Sequence, residues 1–346
     1  MTLIIDSHQD IAWNMLTYKR DYTRSVTETR RLEAGTLIPE RNGESLLGWD
    51  EYQRGQVAVI FSTLFAAPGR KKELWDSIWY PDSDTAHRLY RDQILLYRKL
   101  ADSNPDKFRL IASTKELDAV IEHWSKPLQN DKHHPVGLVY LMEGADGIRS
   151  PHELAEWWEM GLRLIGLAWA GTRYCGGTSE PGPLTDEGRK LLSAMREYNF
   201  ILDLSHMDEA SAVESLDRYE GPIMATHANC AALMPGSDSN RHVPDRVIRG
   251  LIERGGVQGV LPLNSFLKVG WNRHSGSRRE EVPLDVLIAH IDHICQLAGN
   301  ADHAAIGSDF DGGFGLQSIP PELDSIADLQ KIATKLMERG YSESDA

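Results

Sequence analysis

The chain has 346 residues, of which 41% are hydrophobic and 25% are charged, and its formal net charge is −14. This length and composition predict a globular protein with a substantial core, organised as one large domain or two ordinary ones. The acidic balance argues against nucleic acid and anionic membranes as partners, because the basic clusters at residues 70–72 and 277–280 are short.

The chain begins with an apolar run that leads to three polar side chains. In the stretch TLIIDSHQDIAWNML, at residues 2–16, these are Asp6, His8 and Asp10. Side chains two residues apart on a strand point to the same side, so His8 and Asp10 can bind one ion together. Asp6 has the same parity and is predicted to lie deeper, as a structural carboxylate.

Eight short apolar runs bounded by turn residues are predicted to be β-strands. They cover residues 3–7, 56–65, 136–142, 163–169, 200–204, 222–226, 257–263 and 304–307. Helical periodicity is found at residues 151–160, 185–198, 208–219, 244–254 and 283–298, and further helices are predicted at 84–102 and 324–339.

Strands that alternate with helices favour a parallel sheet, and eight such units predict an α/β fold of the TIM-like (β/α)8 barrel type. A doubly wound open sheet is the alternative. Residues 1–346 are interpreted as a single domain, since no Gly/Ser linker divides the chain. Two insertions, at residues 17–55 and 66–134, are expected to cap the C-terminal face of the barrel.

The cysteine content indicates a reducing compartment. Cys175, Cys230 and Cys295 are too few and too scattered for a disulfide framework or a zinc knuckle. The N-terminus lacks the basic and apolar regions of a signal peptide, and no stretch approaches the ~18 apolar residues of a membrane span. The sequence therefore predicts a cytoplasmic location without a membrane anchor.

Several predicted strands end in residues that can bind a metal ion or carry a proton. They are His8, Asp10, Glu143, His206, His227 and Asp309, in the motifs DSHQD, LMEG, DLSH, ATH and GSDFDG. In a parallel barrel all strand C-termini open onto one face, so these side chains are predicted to converge there. Imidazole and carboxylate ligands without cysteine suit zinc or a similar divalent ion at a catalytic site. Five ligands exceed what one tetrahedral zinc uses, which favours two metals about 3.5–4 Å apart that share a carboxylate.

The remaining histidines do not share this placement. His290 and His293 lie on a predicted amphipathic helix, and His133 and His134 precede the third strand at the opposite end of the barrel. Surface or loop positions are expected for His87, His123, His152, His274 and His303.

The sequence resembles the membrane dipeptidase (renal dipeptidase) family, metallopeptidase family M19, within the amidohydrolase-like barrels. The matching stretches are IDSHQDIAW, LMEGADGI, MGLRLIGLAWAGTRYCGG, DLSHMDEAS, ATHANCAAL, NRHVPD and HIDHICQLAGNADHAAIGSDFDGG. They extend through nearly the whole chain, and their order and spacing are specific to the family.

This resemblance implies a binuclear Zn²⁺ site with two ions per chain. The family's ligands fall on His8, Asp10, Glu143, His206 and His227, with Glu143 as the bridging carboxylate. Asp309 matches the acidic residue at the eighth strand, and Arg241 matches the arginine that receives the substrate's C-terminal carboxylate. A homodimer is expected from the resemblance alone.

Two positions depart from the family pattern. Where many of its dipeptidases have a histidine at the end of the fourth strand, this chain has Trp169, within GLAWAGT. Trp169 is interpreted as an apolar or stacking wall for the substrate, with a core position at the barrel rim as the alternative. His242 replaces an asparagine that is common after the family arginine, and this change is expected to be mild.

The leading hypothesis is a zinc-dependent dipeptidase in which a hydroxide held between the metals attacks the peptide carbonyl. Asp309 would transfer the proton, and Arg241 would restrict the substrates to short peptides, including the L,D-dipeptides that the family tolerates. One alternative is an amidohydrolase of the same fold that acts on another small amide, such as an N-acyl amino acid. The other is a metal-binding homologue without turnover.

Overall fold

The computed structural model describes residues 2–128 and 133–346 of the chain. Within this part of the chain the strands are β1 (Ile4–Gln9), β2 (Val57–Leu64), β3 (Ala67–Pro68), β4 (Trp79–Tyr80), β5 (Phe108–Ile111), β6 (Val136–Glu143), β7 (Leu162–Gly166), β8 (Cys175–Gly177), β9 (Glu180–Leu184), β10 (Ile201–Asp203), β11 (Ile223–Met224), β12 (Gln258–Val260) and β13 (Ala304–Ile306). Residues 129–132 of the second predicted insertion lie outside the described residues.

The α-helices of the same described residues cover much of the chain between the strands. They are α1 (Ile11–Thr17), α2 (Val26–Glu33), α3 (Ile38–Arg41), α4 (Trp49–Arg54), α5 (Ser83–Ser103), α6 (Thr114–Trp124), α7 (Leu154–Glu159), α8 (Asp186–Tyr198), α9 (Glu209–Arg218), α10 (Asp245–Glu253), α11 (Leu284–Ala298) and α12 (Gln330–Glu338). None of these helices combines the length and apolar character needed to traverse a lipid bilayer.

Seven of the strands form one sheet in which every pairing is parallel. Its main path runs in the order β1, β2, β6, β7, β10 and β11. β5 pairs with the first half of β6, whose second half pairs with β7. β12 and β13 form a separate parallel pair. The order along the sheet follows the order along the chain, unlike the reversed order of a doubly wound sheet.

Two isolated bridges connect the β12–β13 pair to the two edges of the sheet. Ala225, directly after β11, pairs with Gln258 in β12, and Gln9 in β1 pairs with Phe310 after β13. The described residues form no continuous ladder at either joint. The fold is therefore mixed α/β with a curled parallel sheet. This confirms the predicted α/β class and parallel sheet, but not the predicted closure into a complete barrel.

All eight predicted strands are present, although most are shorter than predicted. The fourth ends at Gly166, so Trp169 lies in the loop after β7 rather than on the strand. The second insertion reaches the mouth of the sheet only in part. β5, which was not predicted, pairs with the first residues of β6, at the opposite end of that strand from its carboxyl terminus. Its sequence, FRLI, alternates too little between apolar and polar residues to be recognised as a strand.

The core lies between the sheet and the surrounding helices. One cluster of buried apolar side chains extends from Ile4 in β1 to Leu336 in α12. β2 and β6 are buried over almost their whole length, as expected when both faces of a parallel sheet are covered. The strand ends are consequently attached to a rigid platform.

Side-chain caps begin several of the helices that surround this core. Asp82, Ser113 and Thr185 each accept a hydrogen bond from the main-chain N–H three residues later. Such caps satisfy donors that a helix leaves without partners in its first turn. α8 is followed by Asn199, whose φ of 58° is the left-handed conformation common at helix C-termini. The helix start predicted at Thr185 is confirmed.

A buried ion pair attaches the first insertion to the loop after β13. Arg20 Nη1 lies 3.0 Å from Asp311 Oδ2, and its other nitrogens bind the Glu33 carboxylate at 2.8 and 3.0 Å. Asp311 also accepts hydrogen bonds from Ser45 Oγ at 2.9 Å and Leu46 N at 2.8 Å. The loop that carries Asp309 is therefore held by charge and hydrogen bonds as well as by the buried rings of Phe310 and Phe314.

Replacing Asp311 is expected to destabilise the fold. The substitution Asp311→Ala leaves the Arg20 guanidinium buried with less compensation, and loss of one partner of a buried pair costs about 3–5 kcal/mol. Urea denaturation measures the free energy of unfolding. The control is Asp186→Ala, since Asp186 pairs with Arg189 at the surface and its side chain is 92% exposed. Equal small losses for both variants would contradict the assigned role.

Candidate metal centre

The carboxyl ends of the parallel strands carry the side chains that the sequence analysis singled out. They are His8, Asp10, Glu143, His206, His227 and Asp309. His8 is in β1, Asp10 directly follows this strand, and Glu143 ends β6. His206, His227 and Asp309 lie three residues beyond β10, β11 and β13, respectively. The structure brings all six side chains together at the C-terminal ends of the parallel strands. Their assignment as metal ligands and proton carrier stays a prediction.

Glu143 lies at the centre of three imidazoles. Its Oε1 is 3.1 Å from His206 Nε2 and 3.4 Å from His227 Nε2, and its Oε2 is 3.7 Å from His8 Nε2. The Nε2 atoms of His206 and His227 are 3.0 Å apart. Both carboxylate oxygens of Glu143 therefore face imidazole nitrogens.

A second group of possible ligand atoms overlaps the first at His8. His8 Nε2 lies 3.9 Å from Asp10 Oδ2 and 3.9 Å from Asp309 Oδ1. The ligand atoms of His8, Asp10 and Asp309 all lie within 4.8 Å of one another, and the same holds for His8, Glu143 and His227. Each of these overlapping sets could hold a metal ion.

The electrostatics of these side chains fit a divalent cation. Oδ1 of Asp10 is buried and has no hydrogen-bond partner among the described residues. Burial raises the pKa of Asp10 to about 7. Burial and the nearby Asp10 raise the pKa values of Glu143 and Asp309 well above the usual carboxyl range. A bound cation would offset the cost of burying these three carboxylates together.

The imidazoles complete a donor set suited to such a cation. Burial lowers the pKa of His8 to about 3 and places the pKa values of His206 and His227 well below the usual range. The three rings are consequently neutral at pH 7. A neutral imidazole has a nitrogen lone pair available as a metal ligand.

The hydroxyl group of Thr226 orients two of these imidazoles. Thr226 Oγ1 donates to Asp203 Oδ2 at 2.6 Å, and Asp203 Oδ1 accepts two main-chain N–H groups at 2.9 Å. A hydroxyl has a single proton, so its lone pairs face Nδ1 of His227 at 3.0 Å and Nδ1 of His8 at 3.4 Å. Both rings therefore carry their proton on Nδ1, and the lone pair of Nε2 can bind a metal, although in His8 this nitrogen also lies 3.3 Å from Thr63 Oγ1.

The third imidazole has a similar partner, because Thr178 Oγ1 lies 2.9 Å from His206 Nδ1.

The backbone conformation of two cluster residues is also unusual. His206 and Asp309 have φ values of 65° and 53°, in the left-handed region that residues other than glycine rarely adopt. Such conformations persist where the surroundings enforce them, and they cluster at functional sites.

Gly312 leaves space for two carboxylates. A Cβ atom at this position would lie 2.0 Å from Asp309 Oδ1 and 2.8 Å from Asp10 Oδ2. Any larger residue would displace the loop or both acids, so the chain approaches the cluster here only because a side chain is absent.

Asp6 has a different environment from the six cluster residues. Its carboxylate accepts hydrogen bonds from Gln9 Nε2 at 2.6 Å and from the main-chain N of Ser308 at 2.7 Å, and Ser308 Oγ also donates to it. These bonds join β1 to the segment after β13. The interpretation of Asp6 as a structural carboxylate agrees with this arrangement.

A cavity of about 790 Å³ opens at the cluster, and Arg241 forms part of its lining. Arg241 is only 3% exposed, and its Nη2 donates to the main-chain oxygen of His227 at 2.6 Å. Its Nε and Nη1 have no partner among the described residues. A buried guanidinium with two unused nitrogens is suited to bind an anion, and a carboxylate matches its geometry.

Trp169 also lines the cavity, although it is not on a strand. Its ring lies 5.1 Å from the ring of Phe65 and 6.2 Å from that of His206. This position favours the interpretation of Trp169 as a wall of the site. His242 is buried, with its ring 5.4 Å from that of Phe266.

Several residues of the site were not identified from the sequence. They are Trp13, Phe65, Trp75, Thr178, Asp203, Thr226 and His274. Asp203 and Thr226 could have been suspected, since each is polar at the end of an apolar run and shortly precedes a strand-end histidine. The aromatic residues give no local signal, because their placement depends on the paths of loops. His274 is exposed, in agreement with the expected surface or loop position, and it also lines the cavity. The same expectation for His87 is wrong, because its side chain is buried.

A curled parallel sheet with imidazoles and carboxylates gathered at its carboxyl edge is typical of metal-dependent hydrolases. The model of the family described as membrane dipeptidase (peptidase family M19) matches residues 1–346. The chain belongs to this family. Membership supports a metallo-dipeptidase that acts on small peptides.

Individual relatives agree with the family match. An uncharacterized Klebsiella pneumoniae protein in the pqqA 5′ region is 30% identical over 261 residues, which cover 72% of this chain and 88% of that protein. Dipeptidase tcpJ of Claviceps purpurea is 28% identical over 218 residues, which cover 60% of this chain and 47% of that protein. A Rhodobacter sphaeroides metallopeptidase, solved with a phosphinate mimic of the dipeptide L-Ala-D-Ala, is similar in fold, with a TM-score of 0.76 at 21% identity over 99% of this chain and 94% of that one.

Removing the Thr226 hydroxyl is expected to weaken metal binding. Thr226→Val keeps the shape of the side chain but removes the acceptor that fixes two imidazole tautomers, and loss of such an outer partner costs roughly 10–100-fold in metal affinity. Competition with a chromophoric chelator measures the affinity for Zn²⁺. Thr226→Ser, which retains the hydroxyl, serves as the control. Equal affinities for the valine and serine variants would refute the orienting role.

Proposed function

We propose that this protein is a zinc-dependent dipeptidase that hydrolyses the peptide bond of free dipeptides, with two metal ions sharing Glu143. One observation carries the proposal: a buried arginine, two of whose nitrogens have no partner among the described residues, lines the same cavity as four of the six cluster residues, Asp10, Glu143, His206 and Asp309. Such a cavity offers an anchor for a substrate carboxylate next to a site that can hold metal. Membership of the membrane dipeptidase family supports the same reaction.

The proposed ligands divide into two pairs around the shared Glu143. His8 and Asp10 would bind one ion, and His206 and His227 would bind the other. Zinc ions held in this way polarise a carbonyl group and lower the pKa of water to about 7. The distances between these side chains support the division, since Oε1 of Glu143 faces the second pair and Oε2 faces His8.

A closed barrel would hold these ligands on one scaffold. The bridges that join Ala225 to Gln258 and Gln9 to Phe310 support an eight-stranded closed arrangement. His8 and His227 come from opposite ends of the main path of the sheet, yet their ring centroids are only 3.6 Å apart. Curvature of the sheet is therefore needed for the proposed site.

Asp309 is proposed to take a proton from the attacking water and deliver it to the departing amine. It lines the cavity, and its Oδ1 is 3.9 Å from His8 Nε2. A carboxylate next to the attacking water can accept its proton and pass it to the departing amine, as general acid–base catalysis requires.

Arg241 is proposed to bind the C-terminal carboxylate of the substrate. Hydrogen bonds between charged groups are the strong ones, and a buried guanidinium gains most from such a partner. The anchor would hold the carboxylate about one residue from the reacting carbonyl. This spacing selects dipeptides over longer peptides, because a longer chain would place its carboxylate too far away.

An N-acyl amino acid is the second candidate substrate. It presents the same C-terminal carboxylate and a comparable amide, and it differs by an acyl group in place of the first residue. The position of Trp169 favours this candidate, since an indole next to the cluster offers an apolar surface rather than a polar partner. A metal-binding homologue without turnover is less consistent with the presence of Asp309.

Metal removal is expected to abolish hydrolysis. The reconstituted protein should contain about two zinc-class ions per chain, and chelation should stop the turnover of L,L- and L,D-dipeptides until zinc is returned.

His206→Ala should lower kcat more than about 100-fold while the fold persists, because it removes a proposed ligand. The control is His293→Ala, on α11, where the imidazole contacts Asp245 at 2.8 Å. Metal analysis and steady-state kinetics provide the measurements.

The same substrate panel separates the competing hypotheses. A fully active metal-free preparation would refute the proposed chemistry. Turnover of N-acyl amino acids without turnover of any dipeptide would favour the second candidate. Metal binding without turnover of any amide would identify a binding protein.

Replacing Arg241 is expected to affect substrates according to their C-terminus. Arg241→Met removes the proposed carboxylate anchor, and a charged hydrogen bond is worth roughly 10-fold or more in binding. KM for a dipeptide should therefore rise at least tenfold more than KM for the corresponding dipeptide amide. Arg70→Met, at the exposed pair with Glu180, is the control. Equal increases for acid and amide would remove the role assigned to Arg241.

A further inference from the structure

Besides Phe266, whose ring lies 5.5 Å from the guanidinium carbon of Arg241, four Trp and Phe side chains line the same cavity as the metal cluster. They are Trp13, Phe65, Trp75 and Trp169, and we refer to them as the aromatic wall. The ring centroids are 5.1 Å apart for Phe65 and Trp169, 6.4 Å for Trp13 and Phe65, and 6.3 Å for Trp13 and Trp75. Because each ring contacts the next, the four form one continuous apolar surface.

The aromatic wall reaches the cluster at Trp169, and Arg241 contacts the cluster at His227. The ring of Trp169 lies 6.2 Å from that of His206, whose ring lies 5.0 Å from that of His227. Arg241 is hydrogen-bonded to the main chain of His227. Trp169 and Arg241 are therefore at the two ends of this series of contacts, with the proposed ligands between them.

Contacts with neighbouring side chains, two of which, Asp76 and Arg41, also line the cavity, hold the aromatic wall in place. Trp13 Nε1 donates to Asp76 Oδ2 at 3.1 Å, which fixes the plane of that indole. Tyr18 stacks on Trp75 at 5.7 Å, and the guanidinium of Arg41 lies 5.6 Å from the same ring. A surface that is already ordered binds a ligand with a smaller entropy cost than one that must be ordered on binding.

The size of the cavity leaves space for a large side chain next to the reacting bond. Its volume of about 790 Å³ is comparable to that of sites for drug-sized ligands, which are roughly 300–1,000 Å³. A substrate held at Arg241, with its scissile carbonyl at the cluster, would direct its first residue toward Trp169. The side chain of that residue would then meet the aromatic wall.

We infer that the aromatic wall selects dipeptides whose first residue is aromatic or large and apolar. The inference rests on the proposed function, because it uses Arg241 as the anchor of the second residue. An aromatic side chain would gain from burial and also from offset or edge-to-face contacts with the rings. A first residue as small as alanine would leave the wall in contact with water.

Kinetics with three dipeptides tests this preference on the metal-loaded full chain. For Phe-Ala, kcat/KM should exceed that for Ala-Ala at least about tenfold, the discrimination that a hydrophobic pocket achieves for a few methylene groups. Phe-Ala should also exceed Ala-Phe, which places the ring on the arginine side. Equal values for Phe-Ala and Ala-Ala, or a preference for Ala-Phe, would overturn the inference.

Variants of the aromatic wall identify the surface responsible. Trp75→Ala removes a half-buried ring that does not contact the cluster, and Phe65→Leu keeps apolar volume without an aromatic ring. Each should reduce the ratio of kcat/KM for Phe-Ala to that for Ala-Ala at least about threefold. The control is Trp79→Ala, because Trp79 contacts Lys72 and is not part of the cavity lining formed by the described residues. An unchanged ratio in both wall variants, or an equal change in the control, would contradict the inference.

A binding measurement separates failure of this inference from failure of the proposed function. Reduced-amide analogues of Phe-Ala and Ala-Ala cannot be hydrolysed, and titration calorimetry measures their affinity for the metal-loaded protein. If no dipeptide is hydrolysed, the dipeptidase proposal fails, yet tighter binding of the Phe-Ala analogue by at least about tenfold, lost in Trp75→Ala, still supports the aromatic wall. If dipeptides are hydrolysed but the two analogues bind equally, the function stands and the wall has no such role.

Discussion

Three carboxylates and three neutral imidazoles share one buried site, and the arrangement of the surrounding structure follows from this concentration of charge. Burial raises the pKa values of Asp10, Glu143 and Asp309, because ionised groups lose their hydration there. The positive charge of Arg241 lowers the pKa values of Glu143 and Asp309, but one guanidinium does not balance three carboxylates. A site of this composition is suited to additional positive charge, which metal ions supply.

The groups around the cluster limit how it can rearrange. Thr226 and Asp203 determine which nitrogen of His8 and His227 carries the proton, and Thr178 has a similar position at His206. Left-handed backbone conformations occur at cluster residues on two different loops, and a glycine leaves space for the acids. These features cost conformational freedom or strain, which a purely structural cluster of the same size would not require.

The cavity combines a buried arginine with an aromatic surface. Nε and Nη1 of Arg241 have no partner among the described residues, and the aromatic wall reaches the cluster at Trp169. A small molecule with a carboxylate at one terminus and an apolar group at the other would match both features. Of the aromatic wall only Trp75 lies in a predicted insertion, whereas Trp13, Phe65 and Trp169 lie in segments that follow strands.

The sequence by itself determined the order of the eight strands and the six cluster residues, because strand periodicity and polar strand ends are local patterns. It did not reveal β5, the position of Trp169 beyond β7, or the interrupted ladders at two joints of the sheet. Only the tertiary structure decided which hydroxyls orient the imidazoles and which aromatic rings line the cavity. The physical reason is distance along the chain. His8 and Thr226 are 218 positions apart, and their contact depends on how the whole sheet curls rather than on any pattern within a short window.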